Sequence, residues 1–229
     1  MRRLLPLAAL CLLGAGPEPP SDPSSWDKFY SREAYVFGTD PIPLLKEYVH
    51  TFRRGRALDL ATGEGRNAVY LAEQGFEVTG VDFSRVALEK SRKLAAERGV
   101  VIATVQADLR EFRIDRESYD LITNIYFPQR ELFDQIKAGL RPGGTFVYEQ
   151  WHPYGWKTRR PPTGKPREAA PEESEVWQYS DVGLEELARI FSGYQIVLYR
   201  EAVVDQSGFG PRRGVMLTEV SSLIAKKPF

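Results

Sequence analysis

Five short apolar runs, Arg56–Ala61, Glu77–Asp82, Val100–Ala107, Tyr119–Asn124 and Thr145–Gln150, alternate along the chain with stretches whose apolar residues recur at helical spacing. No other feature constrains the fold as strongly, because parallel strands need long crossovers and those crossovers are usually helices. The helical stretches are Arg66–Gln74, a segment running from Ser84 to Glu97, and Arg130–Leu140. Gly75 and Gly99 fit the C-terminal stops of the first two, and Ser84 fits the N-cap of the second. Upstream, Trp26–Phe37 is aromatic-rich and helical in part, and Pro41-Ile42-Pro43 opens a helix through about Phe52. Downstream, Arg141-Pro142-Gly143-Gly144 reads as a turn into the fifth strand. Gly183–Phe191 reads as a helix capped by Asp181, and Gln195–Val203 and Val215–Lys226 read as two further strands joined by a Gly-rich loop. The expected class is α/β, with a parallel sheet wound on both faces.

The chain of 229 residues suits one such domain. Its 31 basic residues balance its 31 acidic ones, so no overall field draws it toward nucleic acid. The basic run Lys157, Arg159, Arg160, Lys165 and Arg167 lies in a polar segment, 153–175, that reads as a loop or lid. The single cysteine, Cys11, excludes a disulfide, a thiolate nucleophile and a cysteine-based zinc site from the folded body, and no metal site is expected. Arg2 and Arg3, an apolar run from Leu4 to Ala15, and Gly14-Ala15-Gly16 make residues 1–20 signal-like. A membrane partner is expected only through that segment; the other reading is an N-terminal extension or an early start codon. Residues 21–25 form a polar linker, so the domain is expected over 26–229.

The chemistry centres on Leu58-Asp59-Leu60-Ala61-Thr62-Gly63-Glu64-Gly65-Arg66-Asn67-Ala68, which lies between a strand and a helix. Bare backbone at Gly63 and Gly65 admits a nucleotide-like ligand. Asp59 and Glu64 decide its charge. A pyrophosphate wants a helix N-terminus free of anions, whereas these carboxylates suit a ligand bearing an amino group and a sulfonium. Asp82 ends the second strand, where a carboxylate can accept from both hydroxyls of a ribose. Asp108 ends the third, where a carboxylate can accept from an adenine amino group.

With those residues in place the chain resembles the class I S-adenosylmethionine-dependent methyltransferases, in particular the tellurite-resistance-type enzymes that act on small molecules. The likeness is carried by Trp26-Asp27-x-x-Tyr30, Tyr35-x-Phe37-Gly38-x-x-Pro41, Asp59-x-Ala61-x-Gly63-x-Gly65-x-Asn67, Asp82, Asp108 and Leu140-Arg141-Pro142-Gly143-Gly144. It implies a Rossmann-like, doubly wound, mostly parallel seven-stranded sheet with an antiparallel C-terminal strand. It implies S-adenosyl-L-methionine as cofactor, with Asp59, Gly63 and Gly65 at the methionine part, Asp82 at the ribose, and Asp108 with Leu109 at the adenine. Ala61, Asn67, Phe83 and Asn124 complete the cofactor-binding set. A cofactor made in the cytosol implies a cytoplasmic protein, with anchoring or export as the alternative that the N-terminus raises.

The acceptor is expected to be a small molecule, including soft nucleophiles such as a thiol or a metalloid, for which a general base is optional. Asn124, Tyr126 and His152 are the candidate catalytic residues, and His152 is the first candidate if a base is needed. Tyr35, Phe37, Tyr126 and Trp151 are the candidate substrate residues. Two other classes stand beside this reading: a nicotinamide-dependent oxidoreductase, which Asp59 and Glu64 oppose, and a non-catalytic exported protein that keeps the fold.

Overall fold

The central strand, β1 (Arg56–Leu60), buries every residue after Arg56, as a strand covered on both faces must. A computed structural model of the chain describes residues 25–151, 184–205 and 217–229. The signal-like segment, His152, the 153–175 loop, the Asp181 cap and the Gly-rich loop before the last strand lie outside the described residues.

The element order after the N-terminal α1 (Trp26–Tyr30) and α2 (Pro43–Tyr48) is β1, α3 (Arg66–Glu73), β2 (Glu77–Asp82), α4 (Arg85–Glu97), β3 (Ala103–Gln106), β4 (Tyr119–Ile125), α5 (Leu132–Gly139), β5 (Leu140–Trp151), α6 (Leu184–Ile190), β6 (Gln195–Asp205) and β7 (Leu217–Lys226). The strands form one seven-stranded sheet in the order β3-β2-β1-β4-β5-β7-β6. β1 to β5 pair in parallel, and β7 lies antiparallel between β5 and β6. This is the Rossmann-like sheet with a reversed C-terminal strand.

The two faces carry different cores. Ala57, Leu121, Ile125, Val147 and Ile224 pack with α2, α3 and part of α4, while Leu58, Leu60, Ile122, Phe146 and Tyr148 pack with α5 and α6. Alternation along each strand therefore puts Asp59, Thr123 and Glu149 on the first face and Asn124, Tyr148 and Gln150 on the second. All six sit toward the C-terminal ends of their strands, the edge at which open α/β sheets bind ligands.

Local chemistry explains the boundaries. Ser84 caps α4 by accepting from the Ala87 amide at 3.1 Å. Gly75 and Gly99 take left-handed φ values of 86° and 70° just beyond α3 and α4. β3 is shorter than Val100–Ala107, because the Val100 amide turns back to the Ala95 carbonyl at 2.9 Å and closes the end of α4. Arg141-Pro142-Gly143-Gly144 is not a turn ahead of β5 but an irregularity within it: the pairing with β4 shifts there, and the Gly143 amide donates to the Lys227 carbonyl at 3.0 Å. The second helix is also shorter than expected, ending at Tyr48 and continuing as a 3-10 turn, Val49–Thr51.

Candidate functional site

The loop joining β1 to α3 is held from beneath by Asp59. Its carboxylate is buried and accepts from the hydroxyls of Thr62, at 2.7 Å, and Thr123. Burial pushes its pKa up, and the two hydroxyl donors oppose that shift. Gly80 in β2 leaves the space that Thr62 fills, since a Cβ there would come within 2.9 Å of the Thr62 side chain. Ala61, Gly63 and Gly65 take φ values of 56°, 54° and 87°. At Gly65 a Cβ would also meet the Ser91 Cα at 2.9 Å, so bare backbone is required for α3 to pass α4.

Asp82 pins the other side of the loop. One carboxylate oxygen accepts from the Gly63 amide at 2.8 Å and the other from the Ser84 amide at 2.9 Å. Burial raises its pKa from 3.8 to about 6 despite those donors.

Glu64 does something the sequence reading does not anticipate. It forms a buried ion pair with Lys90 and accepts from the amides of Val36, at 2.7 Å, and Phe37, at 3.3 Å. Its charge therefore ties down the N-terminal segment instead of facing a ligand. Lys90 joins in, donating to the carbonyls of Tyr30, Arg32 and Ala34. Asp27 accepts from the Ser84 hydroxyl and from the Val86 amide at 3.2 Å, and Asn67 accepts from the Ile42 amide at 3.1 Å. Residues 27–42 are thus laid across the glycine loop, with the Tyr30 hydroxyl 3.1 Å from where a Gly63 Cβ would stand. The Tyr30 phenol is buried beside Asp82 and Glu64, and burial raises its pKa.

Toward β4 and β5, Arg66 opens α3 with its guanidinium buried, donating to the Phe37 carbonyl at 3.2 Å and lying 5.7 Å from the Tyr126 ring centroid. Burial lowers its pKa to about 10. Tyr126 has φ 59°, a left-handed conformation that is an outlier for a bulky residue. Its ring stacks on Trp151 with centroids 4.3 Å apart, and its hydroxyl donates to Glu149 at 2.6 Å. Glu149 also accepts from the Ser222 hydroxyl at 3.0 Å, and burial raises its pKa.

On the opposite face the pattern reverses. Asn124 is fully buried with neither amide atom hydrogen-bonded, and buried oxygens of Tyr148, Gln150 and Gln129 have no hydrogen-bond partner either. Each such group costs about 1–3 kcal/mol when left unmade. The other buried polar atoms without a hydrogen bond, among the described residues, belong to the ion-paired Glu64, Asp120 and Arg200.

The structure brings Asp59, Ala61, Gly63, Gly65, Asp82 and Asn124 to one edge of the sheet, with Tyr126 and Trp151 beside them. Phe83 follows Asp82 and its carbonyl accepts from the Gln106 amide at 3.1 Å. Leu109 is buried in the core beside α5. Tyr35 and Phe37 sit in the N-terminal segment, Tyr35 against Lys90 and Phe37 against Phe29 and Tyr30. Asn67 faces the backbone of Ile42, and Asp108 is taken up by its own turn, accepting from the Arg110 amide and guanidinium, which lowers its pKa. Sequence reasoning named Tyr30 and Arg66 only as parts of motifs, without a role, and missed Thr123 and Glu149. Their signal was weak: a buried arginine at a helix start looks like any exposed one until the partners from other elements are known.

Residues 57–144 match a family described as a methyltransferase domain. A demethylmenaquinone methyltransferase of Thermus thermophilus is 36% identical over 106 residues, covering 43% of this chain and 48% of that protein. The chain thus spans less than half the length of that relative, and 39% of a demethylmenaquinone methyltransferase of Clavibacter sepedonicus. A solved structure described by the conversion of a disulfide bond into a thioacetal group during echinomycin biosynthesis superposes with a TM-score of 0.68 at 17% identity, covering 90% of this chain and 92% of that one. TehB from Haemophilus influenzae superposes with a TM-score of 0.59 at 17% identity, covering 82% and 62%. At these identities the structural likeness establishes the fold. The sequence likeness is to a methyltransferase domain and is confined to residues 57–144.

Proposed function

We propose that this chain, a class I methyltransferase by its domain and its sheet, transfers a methyl group from S-adenosylmethionine to a small-molecule acceptor. One observation carries the reading: Asp82, buried at the end of β2, is held in place by the amides of Gly63 and Ser84 as an acceptor-only group suited to a pair of ribose hydroxyls. The residues present fit the cofactor. Asp59, Ala61, Gly63 and Gly65 would lie along its methionine part, Asp82 and Phe83 at the ribose, Leu109 and Asp108 toward the adenine, and Asn124 at the end of β4. Asn67 supports the set through the Ile42 backbone. S-adenosylmethionine supplies, when bound, a methyl group on a sulfonium, an electrophile whose leaving group is already activated.

The chain's own residues position and shield. Tyr30, Tyr35 and Phe37 cover the loop and exclude water, while Tyr126 and Trp151 wall the acceptor side. Alignment of this kind can supply much of a rate enhancement. Where the acceptor must lose a proton, Glu149 is the buried carboxylate in reach of the Tyr126 hydroxyl. A thiol or metalloid acceptor needs no such base. The reading takes residues 26–229 as one domain working in the cytosol, where the cofactor is made.

Release of S-adenosylhomocysteine against thiol, metalloid, amine and phenol acceptors tests it, with calorimetry of S-adenosylhomocysteine and NADH alongside. Binding of NADH without S-adenosylhomocysteine would overturn it.

A further inference from the structure

Asn124 and Tyr148 are register partners on neighbouring parallel strands, about 4.8 Å apart by ordinary strand spacing. Gln150 follows Tyr148 on the same face, about 6.6 Å further along β5. Gln129 lies in the loop after β4, its amide donating to the Phe127 carbonyl at 3.0 Å. These four residues are buried, neutral and carry polar atoms with no hydrogen bond. Asn124, Tyr148 and Gln150 lie together at the ligand-binding edge of the sheet and Gln129 follows in the loop after β4, whereas the remaining such atoms among the described residues are scattered and ion-paired. Native proteins satisfy nearly all buried polar groups, so a cluster left open at a ligand-binding edge points to a missing partner.

The chemistry of the four sets the partner's class. Carboxamides and a phenol both donate and accept, and none is charged. Arg130 and Glu186, the charges that act on the Tyr148 hydroxyl, pair with each other at 2.7 Å. Phe133 and Phe146 lie against Tyr148 with ring centroids about 6 Å away, and Phe191 stacks on Phe146, giving an apolar flank. Such a lining matches a neutral hydroxyl or carboxamide on a planar apolar frame. Among the described residues it offers an oxyanion or a thiolate neither a free counter-charge nor a soft ligand.

We propose that Asn124, Gln129, Tyr148 and Gln150 form the subsite that recognises a neutral hydroxyl- or carboxamide-bearing aromatic molecule. The proposal rests on the methyl-transfer reading only in taking that molecule as the methyl acceptor. Asn124 and Gln129 lie within the family match and Tyr148 and Gln150 beyond residue 144, where it ends, so the subsite straddles that boundary.

The test uses the full chain saturated with S-adenosylhomocysteine and four probes of one shape: phenol, benzamide, benzoate and thiophenol. Phenol and benzamide are expected to raise the melting temperature, and benzoate and thiophenol, both anionic at pH 8, to leave it unchanged. Tyr148→Phe and Gln150→Leu are each expected to weaken the phenol and benzamide midpoints about tenfold. Neither should alter S-adenosylhomocysteine affinity or lower the melting temperature of the ligand-free protein. A larger response to benzoate or thiophenol overturns the proposal. So does a clear destabilisation of both ligand-free variants, which would mean that bound water already satisfies these atoms. If S-adenosylhomocysteine fails to bind while the neutral probes still do, the methyl-transfer reading falls and the subsite stands.

Discussion

The two halves of the sheet's C-terminal edge handle buried polar groups in opposite ways. Around β1 and β2, Asp59, Glu64, Asn67 and Asp82 each have partners, from Thr62, Thr123, Lys90, Ser84, Gly63, Val36, Phe37 and Ile42. Along β4 and β5, Thr123 and Glu149 on the same face are likewise partnered, but Asn124, Tyr148 and Gln150 on the opposite face hold atoms with none. A network satisfied internally is rigid and independent of any ligand, and one left open takes its last partners from outside. The family match covers the first half and stops before the second half is complete.

The largest expected effect attacks the satisfied half. Glu64→Gln leaves the half-buried Lys90 without its counter-charge, held only by the carbonyls of Tyr30, Arg32 and Ala34, and weakens the tie to Val36 and Phe37; breaking a buried pair costs about 3–5 kcal/mol. Urea unfolding should show a loss of about 3 kcal/mol, and Lys90→Met added to it should restore part of that loss. Strict additivity of the two would mean that the pair does not organise the segment.

Next comes Asp82→Ala. Losing two hydrogen bonds to a charged group should weaken S-adenosylhomocysteine on the order of a hundredfold, with far-ultraviolet circular dichroism retained. Unchanged affinity would remove Asp82 from the site.

The third is a pH dependence. Burial lifts Asp82 to about 6, above its unfolded value, so its contribution to folding stability is fully present below about pH 4 and is lost as pH rises through 6. Ligand binding runs the other way, since ribose hydroxyls donate to the ionised carboxylate. Affinity for S-adenosylhomocysteine should rise about tenfold between pH 5 and 7 as the group ionises. A flat profile would show that Asp82 stays ionised throughout.

The smallest effect probes the open half. Tyr148→Phe removes a buried hydroxyl that makes no hydrogen bond and should change stability by less than about 1 kcal/mol. A loss of several kcal/mol would erase the contrast between the halves.

Local signals made much of the frame legible. Ser84, Gly75 and Gly99 announce their helix ends, and β1 and β2 read directly from their apolar runs. Boundaries failed where distant backbone intervened: Gly143 bonds to Lys227 and turns an apparent loop into part of β5. The glycine loop was legible for the same local reason, but the charge argument built on Glu64 was not. Its partner Lys90 and the amides of Val36 and Phe37 come from other elements, and nothing in the loop sequence reveals them. The open cluster was invisible because it depends on the register of β4 against β5, which an irregularity between Tyr119 and Leu121 shifts.

Calorimetry of S-adenosylhomocysteine and NADH against the wild-type chain and Asp82→Ala tests the central claim most directly. The account predicts one S-adenosylhomocysteine per wild-type chain, a hundredfold loss in the variant and no heat from NADH. Heat from NADH alone, or equal S-adenosylhomocysteine binding by both proteins, would contradict it.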